Sequence, residues 1–61
     1  MAKHLKMNGK TPNGGDYSEI YYFDSDGNNV DETEAVRCVI RECTKDGELI
    51  EETWGTVENN K

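Results

Sequence analysis

Two Asp-Gly steps twenty residues apart, Asp26-Gly27 and Asp46-Gly47, constrain this chain more than any other feature. Asp-Gly between apolar runs marks a hairpin turn, because glycine reaches the positive φ that such turns require. The recurrence extends beyond the turns. Without a gap, Ile20 falls on Ile40, Val30 on Ile50, and Glu32-Thr33 on Glu52-Thr53. We read two copies of one β-hairpin unit. The expected fold is mostly β, a small four-stranded antiparallel meander built from two β-hairpins, with strands at 17–24, 29–33, 35–43 and 48–56.

An α+β arrangement with a helix at about 31–44 competes with this reading. Asp31 and Glu34 have the spacing of a capping box, and Ala35, Val36, Val39, Ile40 and Cys43 follow helical periodicity. Valine, isoleucine, cysteine and threonine are mediocre helix formers, and the recurrence makes this stretch a hairpin arm. The strand is therefore preferred.

The 61 residues make one domain, and a domain this small leaves little net stability unless something else holds it. Residues 1–16 contain three of the six glycines, the single proline and no apolar period, and are expected to form a flexible N-terminal arm. The β domain is placed at 17–57, and 58–61 is expected to be a disordered tail.

Charge divides along the same line. Residues 1–16 carry three lysines against one aspartate, whereas residues 17–61 carry twelve acids against four basic residues. So acidic a body repels phosphates and anionic membranes, which argues against direct nucleic-acid and membrane partners. Met1 to Lys10 lacks the apolar stretch of a leader, and no later run approaches the ~20 apolar residues of a membrane span. Cytoplasmic residence is the expectation. Cys38 and Cys43, five positions apart, would lie on opposite faces of a strand about 16 Å apart, too far for a disulfide. Free thiols fit best.

The chemistry of sites finds little to build on. Asp24-Ser25-Asp26-Gly27 resembles the middle of a calcium loop, but Tyr22 and Thr33 occupy its two end-ligand positions. Cys38 and Cys43 have the wrong spacing for a zinc knuckle, and His4 stands alone. No base is placed beside a nucleophile, so no catalytic, cofactor or metal residues are assigned and the chain is not expected to be an enzyme.

Alternation sorts the side chains of the expected strands onto two faces. One collects Ile20, Tyr22, Val36, Cys38, Ile40, Ile50 and Trp54; the other Tyr21, Phe23, Val39, Cys43, Leu49 and Val57. Neither is polar, and a single four-stranded layer cannot bury both. The sheet curls, the arm covers a face, or another molecule does. The expected function is a small protein-interaction module that binds an unknown protein partner, or itself as a homodimer, through an apolar sheet face or edge. The candidate partner-binding residues are Tyr21, Phe23, Val39 and Leu49, with Arg37 and Arg41 at the rim, the arginines paired with Glu51 or nearby acids. Ile20, Ile40 and Trp54 are assigned to structure. Two alternatives stand behind this: an acidic mimic of nucleic acid that occupies a basic cleft, and, more remotely, a small enzyme or metal-binding protein.

Overall fold

A computed structural model describes residues 3–58 of the chain. Four strands, β1 (His4–Asn8), β2 (Tyr17–Phe23), β3 (Arg37–Cys43) and β4 (Leu49–Thr56), lie side by side in chain order, each antiparallel to the next. The sheet is an open antiparallel meander, and the described residues contain no helix. The expected tail begins at Glu58; its residues 59–61 lie outside the described range.

The helix considered for 31–44 reduces to one turn. Asp31 Oδ1 accepts from the Thr33 amide at 2.9 Å, and the Glu34 amide donates to the Asp31 carbonyl at 2.9 Å. From Arg37 the chain is extended, with Val39 and Ile40 opposite Tyr21 and Ile20. Pairing with β2 wins over a weak local helical preference.

The strands differ from expectation in one respect. A strand at 29–33 does not form, and the segment expected as an arm supplies β1 instead. The two compete for one place. The Tyr22 amide donates to the Lys3 carbonyl at 3.3 Å, so β1 occupies the edge of β2 along which residues 29–33 would have run. What remains of the expected arm is a single bridge, Phe23 to Asn29, and a Val30 amide bonded to the Tyr22 carbonyl at 3.0 Å. Asn29 Nδ2 then donates to both the Lys3 and Tyr22 carbonyls, at 3.0 and 2.7 Å, and plugs the junction.

The recurrent turn is real at the level of hydrogen bonds. In 24–28 and again in 44–48, the first amide donates to the fifth carbonyl, the fourth amide to the first carbonyl, and the fifth amide to the first side chain. The fourth residue, Gly27 or Gly47, has φ 87° in both. A third copy, not evident as such in the sequence, closes the turn from Thr11 to Gly15 with the same three bonds and with Gly14 at φ 89°. This is a type I turn followed by a residue in the left-handed region.

The third turn is docked. Asn13 Nδ2 donates to the Glu42 carboxylate at 2.8 Å, and Asp16 donates its amide to the Cys43 carbonyl while its carboxylate accepts from the Lys45 amide, both at 2.8 Å. Gly15 passes so close to β3 that a Cβ there would lie 3.0 Å from the Cys43 carbonyl oxygen and 2.7 Å from Thr11 Oγ1. Lys10 and the Lys45 amide, both bonded to Asp16, hold its carboxyl below the ordinary range.

A single layer has almost no interior. The buried apolar residues are Ala35, Val39 and Cys43, whereas Leu5, Met7, Val36, Ile40, Leu49, Ile50 and Trp54 are all more than a third exposed. Cys38 and Cys43 are free thiols on opposite faces, as their spacing on a strand requires.

Candidate functional site

Cross-strand register decides which side chains share a face. His4, Tyr21, Val39 and Trp54 form one row across all four strands; Lys6, Glu19, Arg41 and Glu52 form the next. Phe23, opposite Arg37, and Tyr17, opposite Cys43, belong to the same side, which we call the ring face. The other side carries Leu5, Met7, Ile20, Tyr22, Cys38, Ile40 and Glu42 and is the aliphatic face.

The ring face is built around Val39, which is only 3% exposed. Phe23 on β2 and Trp54 on β4 reach across β3, their ring centroids 5.7 Å apart, and roof that valine. Next to them His4 stacks on Tyr21 at 4.4 Å, its Nε2 also 2.9 Å from Glu19 Oε2. Trp54 nevertheless remains 56% exposed. Its indole is oriented: Nε1 donates to Glu52 Oε1 at 3.2 Å, and Glu52 Oε2 lies 3.4 Å from Arg41 Nε. That arginine nitrogen is buried and poorly directed for a hydrogen bond, so the contact is an ion pair and no more. Between these side chains lies an open groove of about 400 Å³, lined by Tyr21, Phe23, Val39, Arg41, Glu52 and Trp54.

Charge on the ring face contrasts with the chain as a whole. Lys6, Arg37 and Arg41 face Glu19 and Glu52, a slight cationic excess on a protein of net charge −6. Arg41 pairs with Glu52 rather than Glu51. Arg37 makes no ion pair among the described residues. Lys6 Nζ lies 4.5 Å over the Tyr17 ring, a cation–π contact. The Cys43 thiol beside it, with burial, raises the Tyr17 phenol above its ordinary pKa.

Tyr21, Phe23, Val39, Arg37 and Arg41 are thus brought together. Leu49, opposite Cys43, shares that face but lies at the far end of β4, outside the groove. Trp54, assigned to structure and to the opposite face, is instead the most exposed ring of the groove. The cause is a β-bulge. Cys43 pairs with Leu49 but Glu42 pairs with Glu51, leaving Ile50 as an extra residue. One inserted residue moves every later side chain to the other face, so Trp54 meets Val39 instead of Cys38. The sequence carries no sign of it.

The aliphatic face is partly sheltered. The loop at 9–13 overhangs a hollow of about 410 Å³ whose lining includes Met7, Pro12, Ile40, Glu42 and Thr53. Burial raises the Tyr22 phenol above its ordinary pKa. No three metal-ligating side chains converge among the described residues, and no helix there is long and apolar enough to cross a membrane. Compared with protein families, curated proteins and solved structures, the chain matches none.

Proposed function

We propose that the chain is a protein-interaction module, not an enzyme, and that it docks a partner protein on its ring face. The observation that supports this is Trp54, more than half exposed yet fixed by Glu52 and by Phe23. An exposed ring already held in one orientation loses little conformational freedom on docking, and tryptophan, tyrosine and arginine dominate the energetics of interfaces. The groove accepts one apolar side chain against Tyr21, Phe23 and Trp54. Arg37, opposite Phe23 on the same face and in no ion pair among the described residues, suits a carboxylate beside that anchor. The partner segment we envisage therefore carries an apolar residue next to an acidic one.

The test uses the full chain as bait in lysate of its native host, with Trp54→Ala, Arg37→Glu and the loop control Glu32→Gln in parallel. A protein retained by the wild type and the control, and lost from both ring-face variants, supports the reading. Retention indifferent to Trp54, or binding of single-stranded oligonucleotides instead of protein, overturns it. Truncating a central interface tryptophan costs about 2 kcal/mol or more, which is at least a thirtyfold loss of affinity.

A further inference from the structure

The outer edges of β1 and β4 pair with no described strand, and the charges on the two edges are opposite. Residues 3–10 hold Lys3, Lys6 and Lys10 and no acid, whereas residues 48–58 hold Glu48, Glu51, Glu52 and Glu58 and no base. Charged side chains on edge strands ordinarily guard against edge-to-edge association. Guards of opposite sign protect only against like edges. Two β4 edges would set acid against acid, and two β1 edges lysine against lysine, both unfavourable. A β1 edge beside a β4 edge faces no such penalty.

Geometry and register agree with the charges. β1 runs opposite to β4, so a second copy's β1 laid beside β4 continues the alternation of strand direction. The Tyr22 amide bonds to Lys3, and the Val57 amide to Val36, which turns the backbone groups of odd-numbered residues in β1 and β4 inward. Those of His4 and Lys6, and of Glu52 and Trp54, therefore point outward. In the row Lys6–Glu19–Arg41–Glu52 the charge alternates from strand to strand. The next position in that row, beside Glu52, calls for a cation with an outward-facing backbone, and Lys6 of another copy supplies both.

We infer that the open β4 edge is a docking site for β1 of a second copy of this chain, in the register that sets Lys6 beside Glu52 and His4 beside Trp54. The contact is heterologous, so copies add head to tail and extend one continuous sheet. It involves five residues of β1 and is correspondingly weak and salt-sensitive. It shares Glu52 and Trp54 with the ring face but rests on the backbone edge of β4, so the Lys6 and Glu52 charge swap tests it separately from partner docking in the groove.

Sedimentation of the full chain from about 10 μM to 1 mM, in roughly 0.1 M and 1 M salt, tests the inference. Association that grows with concentration and falls by tenfold or more at the higher salt is expected. Lys6→Glu and Glu52→Lys should each be monomeric, and their equimolar mixture should associate again, because each repairs the other's edge. On the wild type alone, amide resonances of His4, Lys6, Glu52 and Trp54 should shift with concentration while that of Ile20 stays fixed, a readout that needs no folded variant. A monomer throughout the range at 0.1 M salt overturns the inference. So does association unaffected by either substitution, or concentration shifts centred on Tyr21 and Ile20, which would mark a face contact.

Discussion

The turns at 24–28 and 44–48 share three hydrogen bonds, a glycine at φ 87° and the same Asp-Gly step, yet only the second leads into a strand. After Glu48 the chain meets a vacant edge of β3 and runs along it for eight residues. After Asn28 the corresponding edge of β2 is held by β1, and the chain is deflected after Val30 around the end of the sheet. Composition reinforces the outcome. Residues 49–56 offer Leu49, Ile50, Thr53 and Trp54, whereas 29–34 offer Val30 alone among polar and acidic side chains. Local sequence specifies a turn; a strand needs an unoccupied neighbour as well.

If competition for β2 explains the difference, breaking β1 should have the largest effect. Leu5→Pro removes an amide directed at β2 and costs about 3 kcal/mol or more, enough to unfold much of a domain this small. Loss of the cooperative thermal transition would show it. A variant that melts like the wild type would mean that β1 is dispensable.

The glycines give the next largest effect and the cleanest comparison, since a Cβ would meet nothing within 4 Å at Gly27 and only the Tyr17 hydroxyl at 4.0 Å at Gly47. Each alanine then carries only backbone strain, about 1–2 kcal/mol. Gly47→Ala is expected to express all of it, because β4 is tied to the turn. Gly27→Ala should show less, since no strand follows to hold the strained geometry. Denaturant midpoints of the two variants decide, and equal losses would remove the distinction.

A smaller effect separates the turns' first residues. Asp24 accepts from the Asp26 and Asn28 amides and lies 3.4 Å from Asn28 Nδ2, whereas Thr44 accepts from the Glu48 amide through Oγ1. The Asn28 amide above all holds the Asp24 carboxyl below its ordinary value of 3.8. A folded pKa below the unfolded one contributes stability that is present above about 3.8 and lost as pH falls through the lowered value. Asp16 behaves likewise. Acid titration of the melting temperature should therefore be shallower in Asp24→Ala than in the wild type and unchanged in slope in Thr44→Ala.

Much of the sheet was legible because its signals are local. Tyr17 to Phe23 is an aromatic run, Val39 and Ile40 are β-branched, and one Asp-Gly turn falls between them and the other after them. β1 was not legible: Leu5 and Met7 alternate with His4, Lys6 and Asn8 over five residues, too short a pattern to stand out among glycines and asparagines. The turn at Thr11 escaped for a related reason, since Asn13-Gly14-Gly15 has the glycine in the right place but no apolar run before it. On the ring face, the parity of β2 and β3 gathered Tyr21, Phe23, Val39, Arg37 and Arg41 on one side. The parity of β4 depends on pairing at Ile50, a long-range property that no window of residues around Trp54 encodes.

That extra residue makes β4 a two-position selector. Were Ile50 to pair with Glu42 instead of bulging, the ladder would run unbroken and Trp54 would turn to the side of Cys38 and Ile40, removing the indole from the roof over Val39 while leaving strand order and turns as they are. A protein of this kind can exchange the chemistry of its two surfaces by a one-residue slip of β4, without passing through any change of fold.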